Sequence, residues 1–385
     1  MRTVTHGRTL ATIALLATVV AACSSGSGAT SAPSAAASTP AASAPAASVP
    51  AASAPAGSAA TGGLIAPLQD AVNVRFGVFP NITHAPGLVA LADNGPLKQL
   101  LPNANITVMQ FSSGTPAVEA ILTDSIDITY IGPNPAINAF AKTNGEAVRV
   151  ISGSTSGGAF LVVKPEITSA ADLKGKKIAS PSLGNTQDVA LRSWLKSQGL
   201  TTDTAGGGDV SIVPQENAQT LETFKAGTID GAWVPEPWAT RLIQDGGAKV
   251  LVDERDLWPD GKYVTTHLMV AKKFLDANPE VVKRILAANI EAVDEVNDDS
   301  AGAQAIVNSE IEKFTTKKLS PELLSAAWDN LTFTVDPIAS SLQKSATDAE
   351  ALGLLEDPGD LSKLYDLSLL NELLQSSGQP PVKGL

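Results

Sequence analysis

The amino-acid sequence predicts an α/β fold of two lobes with a ligand cleft between them. From about residue 71 onward, short runs of β-branched residues alternate with helical stretches, a pattern typical of strands joined by helices in largely parallel sheets. Two candidate boundaries, near 160–165 and near 265–267, divide the strands into two sets. A middle lobe would then be inserted into the first lobe, and the two strand crossings between them would form a hinge.

The first 22 residues have the features of a lipoprotein signal peptide. Arg2 and Arg8 give a positive start, and residues 10–22 form an uncharged run of 13 residues. This run is too short to span a bilayer as a helix, but it fits the apolar core of a signal peptide. Residues 20–23, which end in Cys23, resemble the bacterial lipobox, and this resemblance implies that Cys23 is lipidated and anchors the protein outside the cell membrane. The alternative is an ordinary signal peptide with an unrelated cysteine.

Residues 23–64 are predicted to form a disordered tether rich in Ala, Ser and Pro. Residues 23–63 contain no charged and no aromatic side chain, so the segment cannot bury enough apolar surface to fold. Its alanines favour a helix, but prolines recur every few residues and would break one.

The folded part that follows contains ten runs with the character of strands. They cover 72–79, 106–111, 126–131, 148–152, 160–164, 177–179, 210–214, 231–234, 249–252 and 268–271. Helical stretches are predicted at 116–123, 135–143, 186–198, 218–226 and 279–296, where apolar residues recur at helical spacing. We therefore predict lobe 1 at 65–164 and 266–385, and lobe 2 at 165–265.

Five junctions share one pattern, in which a strand ends, a small polar loop follows and a helix starts. They are residues 79–86, 111–116, 130–135, 180–188 and 233–238. Proline just inside a helix start is preorganised, and the free N–H groups of that start face the carboxyl ends of the strands. Several such starts around one cleft make an anion site without arginine, because the helix dipole favours negative charge there.

Fourteen residues of these loops are predicted to contact a ligand. They are Asn81, Thr83, His84, Ser112, Ser113, Gly132, Asn134, Gly184, Asn185, Thr186, Gln187, Asp188, Trp233 and Glu236. Some have an alternative role. Asp188 has capping-box spacing from Asn185 and otherwise accepts a ligand amine; Glu236 binds an amine or caps its helix. Of Trp233 and Trp238, one is expected in the core and the other at the cleft wall.

Composition excludes several classes of function. The net charge of −12 argues against a nucleic-acid partner, which needs clustered Lys and Arg. One cysteine and three histidines exclude a zinc site built on several thiolates, and the histidine in the leader leaves too few for a three-histidine site. The sequence contains no GxSxG, HExxH or P-loop motif, so neither a cofactor, a metal nor a catalytic role is expected.

Four stretches carry a resemblance to a known family. Residues 127–139, 172–179, 182–188 and 230–238 resemble the substrate-binding lipoproteins of ABC importers for nitrate, sulfonates, taurine and bicarbonate. The resemblance runs from about Val72 to about Pro279. It implies the two-lobed type II periplasmic-binding-protein fold, which closes on a small solute by a hinge motion.

The resemblance also implies a function. The chain is expected to be an extracytoplasmic, monomeric lipoprotein that delivers a small anionic or zwitterionic solute to an ABC permease and its ATPase. The candidate loops contain no Lys or Arg, which favours a monoanion such as a sulfonate or nitrate; Asp188 and Glu236 would favour taurine if they faced the cleft. The alternatives are a binder of thiamine-pyrimidine precursors, which needs an inward-facing Trp233, Trp238 or Tyr130, an enzyme on the same scaffold, and a sensor lobe.

Overall fold

A computed structural model describes residues 64–385 of the chain. The predicted signal peptide, the lipidation site Cys23 and the predicted tether up to residue 63 lie outside the described residues. The strands are β1 (Asn73–Val78), β2 (Asn105–Gln110), β3 (Ile128–Ile131), β4 (Val148–Gly157), β5 (Ala159–Val163), β6 (Lys177–Ser180), β7 (Ser211–Pro214), β8 (Gly231–Pro235), β9 (Lys249–Asp253), β10 (Val264–Ala271) and β11 (Leu331–Phe333).

The helices alternate with these strands as far as β9 and dominate the chain after β10. They are α1 (Ala85–Leu91), α2 (Pro96–Leu100), α3 (Gly114–Leu122), α4 (Pro133–Lys142), α5 (Thr186–Ser197), α6 (Asn217–Lys225), α7 (Trp238–Gln244), α8 (Lys272–Ala277), α9 (Pro279–Asp298), α10 (Ser300–Thr315), α11 (Pro321–Trp328), α12 (Ala339–Ala351) and α13 (Ser368–Ser376). Short 3₁₀ turns lie at Ile82–His84, Ala170–Leu173, Glu254–Leu257, Pro259–Gly261 and Leu361–Leu364.

The strands form two sheets, and each sheet belongs to one lobe. The first has the order β11-β4-β10-β3-β1-β2 and the second the order β7-β6-β8-β5-β9. The prediction of largely parallel sheets is wrong, because both sheets are mixed. The pairings β1–β2, β1–β3, β6–β7 and β6–β8 are parallel, whereas those of β5, β10 and β11 are antiparallel. The strands that adjoin the crossings, β5 and β10, run antiparallel to both of their neighbours in the sheet.

The crossings between the sheets occur earlier than the sequence predicts. β4 in the first sheet ends at Gly157 and β5 in the second begins at Ala159, so the chain crosses at Gly158 and not near 164. Both Gly157 and Gly158 have positive φ, 80° and 71°, a conformation that favours glycine. The return crossing lies between the end of β9 and Val264, ahead of the predicted 265.

All ten predicted strands form, and an eleventh, β11, has no counterpart in the prediction. The second lobe packs a separate core on each face of its sheet. Along β5, Phe160 and Val162 join one core, while Leu161 and Val163 join the other, because side chains of a strand alternate between its two faces. No helix among residues 64–385 is long and apolar enough to cross a membrane.

Candidate functional site

A small cavity lies between the two lobes, at the carboxyl ends of strands. Its volume is about 40 Å³. Because one buried water needs about 10 to 15 Å³, this space holds a group of about three or four water-sized atoms. The lining residues are Phe79, Asn81, Thr83, His84, Ser112, Ser113, Gly114, Gly132, Pro181, Asn185, Thr186, Gln187, Asn217, Pro235, Thr265 and Thr266.

Four helix N-termini meet at this cavity, two from each lobe. Helices α3 and α4 follow strands of the first sheet, and α5 and α6 follow strands of the second. Ser113, Gly132 and Asn185 stand at the N-cap positions of α3, α4 and α5, and Asn217 is the first residue of α6. The unpaired N–H groups and the dipoles of these helices therefore favour an anion in the cavity.

Several polar side chains of the cavity have no protein partner. Among the described residues, His84 Nε2, Thr186 Oγ1 and Asn217 Oδ1 are buried without a hydrogen bond. Ser113 and Asn185 make no side-chain hydrogen bond to cap their helices. Buried polar groups are normally satisfied, so these atoms around one cavity indicate a bound solute, to which His84 and Thr186 can donate and from which Asn217 Oδ1 can only accept.

The cavity is electrically neutral. None of the described residues that line it is an Asp, Glu, Lys or Arg. Burial lowers the pKa of His84 to about 3, so its ring carries no charge at neutral pH. Thr83 Oγ1 lies 3.1 Å from His84 Nδ1; when this hydroxyl donates to Nδ1, the ring proton is on Nε2 and can donate to an anion.

Hydrogen bonds across the cleft join the two lobes in a closed arrangement. Ser112 Oγ donates to Glu216 Oε1 at 2.8 Å, and Trp238 Nε1 donates to Asn81 Oδ1 at 3.0 Å. A longer contact of 3.5 Å joins Asn138 Nδ2 to the carbonyl oxygen of Gly184. A solute in the cavity would be enclosed by both lobes, as expected for a hinge-closing protein.

Nine of the fourteen residues predicted from sequence line the cavity. They are Asn81, Thr83, His84, Ser112, Ser113, Gly132, Asn185, Thr186 and Gln187. The other five, Asn134, Gly184, Asp188, Trp233 and Glu236, do not line it.

Asn134 is excluded by the true start of its helix. The sequence places the N-cap of this helix at Asn134, but α4 begins at Pro133 with Gly132 as N-cap. Asn134 therefore lies inside the first turn, is 2% exposed, and its Nδ2 donates to the carbonyl oxygen of Ser345 at 3.2 Å. Its amide holds α12 against α4 and is not available to a solute.

Asp188 forms a buried ion pair. Its Oδ2 accepts from Arg192 Nε at 2.9 Å, and the two side chains are 0% and 2% exposed. Ser180 Oγ and the backbone N–H of Gly184 also donate to this carboxylate, at 2.6 and 3.0 Å. Both predicted roles, a capping box with Asn185 and a ligand for an amine, are therefore wrong. Gly184 has a φ of 71°, and its role is to form the turn before α5 in which its N–H reaches Asp188.

Trp233 and Glu236 are occupied by other contacts. Trp233 is 0% exposed, lies in a core of the second lobe, and donates from Nε1 to Glu254 Oε2 at 2.7 Å. Glu236 accepts from the N–H and hydroxyl of Thr240 and, at 2.7 Å, from Asn330 Nδ2. Glu236 thus stabilises the first turn of α7, which was its alternative role, and joins it to a residue of the other lobe.

The predicted set omitted seven lining residues. Phe79, Gly114, Pro181 and Pro235 lie within the five predicted junctions, and the sequence pattern also indicates Asn217. Asn217 follows the strand run 210–214 and precedes the helical run 218–226. It therefore occupies a strand-to-helix junction like the five from which the ligand contacts were predicted. Thr265 and Thr266 lie on β10; their place at the cavity depends on the order of strands in the sheet, which no local pattern in the sequence indicates.

Glu254 lies beside the return crossing, and its ionisation makes the free energy of unfolding depend on pH. Its side chain is buried, and burial raises its pKa to about 7. A carboxyl with a raised folded pKa contributes stability that is present below its unfolded pKa and is lost as pH rises through the folded pKa. At about 1.4 kcal/mol per pKa unit, the loss between pH 5 and pH 8 is up to about 3 kcal/mol.

We therefore expect Glu254→Gln to lose less unfolding free energy than the wild type between pH 5 and pH 8. Glutamine keeps an acceptor for the Trp233 N–H but does not ionise. Denaturant unfolding at the two pH values measures the change in unfolding free energy for each protein. An equal change in both proteins would contradict the raised pKa of Glu254.

Comparison with known proteins places the chain in a family. The model of the NMT1-like family matches residues 69–309, more than half of the 385 residues. The chain belongs to the NMT1-like family. This NMT1-like protein is 31% identical over 228 residues to the taurine-binding periplasmic protein of Escherichia coli strain K12, a match that covers 59% of this chain and 68% of that protein.

Solved structures show that the NMT1-like chain has the two-lobed fold of periplasmic solute-binding proteins. The alkanesulfonate-binding protein SsuA from Xanthomonas axonopodis pv. citri bound to MOPS superposes with a TM-score of 0.65 at 20% identity, over 76% of this chain and 98% of SsuA. The periplasmic nitrate-binding protein NrtA from Synechocystis PCC 6803 gives a TM-score of 0.65 at 18% identity, over 81% of this chain and 90% of NrtA.

Proposed function

We propose that this NMT1-like protein is an extracytoplasmic solute-binding protein for a small monoanion of the sulfonate or nitrate class. The observation that carries the proposal is the neutral cavity at four helix N-termini, with His84 Nε2 and Thr186 Oγ1 unpartnered and able to donate. Neutral donors suit a monoanion, because a second negative charge would be desolvated there without a cation to balance it. Relatives that are named as taurine-, alkanesulfonate- and nitrate-binding support the same class.

Within this class, the contacts favour a sulfonate or nitrate over a zwitterion. The cavity offers no carboxylate to an ammonium group, since Asp188 pairs with Arg192 and Glu236 with Thr240 and Asn330. The sulfonate oxygens would accept from the helix N–H groups and from neutral side chains. Taurine remains a member of the test panel, with its amine pointing away from this cavity.

The cellular role follows from the same proposal. Cys23 would carry the lipid anchor, residues 23–64 would tether the lobes, and the closed, solute-loaded monomer would deliver its solute to an ABC permease with its ATPase. The protein would bind and release the solute without converting it. Recovery of unchanged solute after incubation tests this last statement, and a product would indicate an enzyme.

A thermal-shift screen tests the proposed class directly. The panel contains ethanesulfonate, taurine, nitrate, bicarbonate, a pyrimidine and, as a dianion, sulfate. A true solute at about 100 times its Kd adds about 2.7 kcal/mol of stability. We expect a shift with ethanesulfonate or nitrate and a smaller one with sulfate; a shift with the pyrimidine alone would overturn the proposal.

Alanine substitutions test the site itself. Ser113→Ala and Asn185→Ala each remove a side chain that lines the cavity and caps no helix, and each is expected to weaken solute binding by about 1 to 3 kcal/mol. Ser197→Ala, an exposed serine at the far end of α5, is the matched control and should bind like the wild type. Unchanged affinity in both site variants, measured by calorimetry, would refute the assignment of these loops.

A further inference from the structure

A second and larger cavity adjoins the first. Its volume is about 510 Å³, against about 40 Å³ for the first. Asn81, Ser112 and Asn217 line both cavities. These three residues therefore stand between the two spaces.

Two hydrogen bonds between the lobes involve these residues. They are the bonds from Ser112 Oγ to Glu216 Oε1 and from Trp238 Nε1 to Asn81 Oδ1. Ser112 and Glu216 are exposed, and a hydrogen bond between exposed groups contributes little net stability because water can replace either partner. For a chain attached to an anionic head in the small cavity to reach the second cavity, one such bond must open.

The second cavity has the surface that an apolar substituent needs. Phe111, Leu221 and Leu323 are buried in its wall, with exposures of 8%, 3% and 5%. Trp238 is half-buried beside them, and the guanidinium carbon of Arg241 lies 4.7 Å from the centre of its ring. Aliphatic and aromatic walls of this kind bind organic groups by burial and ring stacking.

Charged side chains of both signs lie around this apolar surface. Arg241 is paired with Asp245, with 3.6 Å between Nε and Oδ2, and Lys318 with Glu312 at 3.1 Å. Lys317 and Glu222 are exposed. With cations and carboxylates both present, the cavity selects neither sign of charge strongly, so apolar burial decides what it binds.

We propose that the second cavity binds the organic tail of the solute, so that the preferred ligands are sulfonates with an apolar, ring-bearing tail. The inference rests on the proposed function, because the sulfonate head must occupy the first cavity. It adds to that function a tail-binding surface formed by α6 and α7 of the second lobe with α10 and α11 of the first. Ethanesulfonate, whose tail is only an ethyl group, would place its sulfonate in the first cavity and gain little from the second.

Calorimetric titration of the full chain with ethanesulfonate and with 3-phenylpropane-1-sulfonate tests the inference. We expect the phenyl compound to bind at least about tenfold tighter, which is about 1.4 kcal/mol from burial of one ring. Ala218→Trp fills the second cavity from an exposed position on α6, and Gln219→Trp adds the same side chain at the next exposed position, which does not line it. The ratio of the two affinities should fall towards one in Ala218→Trp and stay at the wild-type value in Gln219→Trp.

Equal affinities for the two sulfonates in the wild type, or an unchanged ratio in Ala218→Trp, would overturn the tail assignment and leave the proposed function standing. A fall of the ratio in both tryptophan variants would also overturn it, since the effect would not depend on the cavity. Failure of the wild type to bind either sulfonate would overturn the sulfonate assignment of the first cavity and this inference with it.

Discussion

Gly132→Ala is expected to abolish tight solute binding by preventing closure of the cleft. A Cβ at position 132 would lie 2.6 Å from Thr186 Oγ1, closer than non-bonded atoms of this kind pack. Gly132 follows β3 of the first sheet, and Thr186 begins α5 after β6 of the second, so the clash lies between the lobes. Thr186 is β-branched and begins a helix, which restricts the χ1 rotamers through which its hydroxyl could turn away.

The substitution should leave each lobe folded. Gly132 has φ −73° and ψ 163°, an extended conformation that alanine adopts without strain. We expect an affinity loss of at least about tenfold, or about 1.4 kcal/mol, for the solute found in the screen. Calorimetry gives the affinity, and denaturant unfolding of the ligand-free protein should give a free energy close to that of the wild type.

The Thr186→Ala background is the control for this prediction. Without Oγ1, the nearest remaining atoms to the new Cβ are the carbonyl oxygen of Thr265 at 3.5 Å and the Cβ of residue 186 at 3.7 Å, which are ordinary contacts. Gly132→Ala should therefore cost little additional affinity in that background. An equal loss in both backgrounds would show that the cleft does not close as described.

Asp188→Ala is expected to lower the free energy of unfolding by about 3 to 5 kcal/mol, because it leaves the buried Arg192 without its counter-charge. The pair has side chains that are 0% and 2% exposed with 2.9 Å between Nε and Oδ2. The loss also removes the acceptor for Ser180 Oγ and for the N–H of Gly184. Denaturant unfolding measures the change.

A double substitution separates the ion pair from other effects. Asp188→Leu combined with Arg192→Met removes both charges, and such replacements are often neutral or stabilising. We expect the double variant to recover most of the stability lost in Asp188→Ala. An unfolding free energy that stays at the wild-type value in Asp188→Ala, together with weaker taurine binding, would instead show that this carboxylate binds the solute amine.

The junctions between strands and helices made much of the site predictable. Asn185, Thr186 and Gln187 follow β6, and Ser112 and Ser113 follow β2. The carboxyl ends of strands that are joined to helices lie at one edge of a sheet. Residues directly after them therefore gather at that edge of their own sheet whatever the exact order of the strands, and the cavity lies between the edges of the two sheets.

The wrong site predictions concern the direction in which a side chain points, which the sequence pattern did not indicate. A shift of two residues in the start of α4 turned Asn134 away from the cavity, and the alternation along β8 placed Trp233 in a core. The pairing of Asp188 with Arg192 has an i,i+4 spacing that was readable from sequence. Thr265 was not, because its place depends on the order of the strands in its sheet. Nor was the hydrogen bond of Ser112 to Glu216, because it depends on how the lobes close.

Calorimetric titration of the full chain with ethanesulfonate, at neutral pH and physiological salt, tests the central claim most directly. A neutral cavity at four helix N-termini, in which His84 and Thr186 donate to the sulfonate, predicts saturable one-to-one binding that weakens at least about tenfold in Gly132→Ala. No saturable binding of ethanesulfonate, taurine or nitrate up to about 1 mM, which corresponds to a binding free energy weaker than about −4 kcal/mol, would contradict the claim.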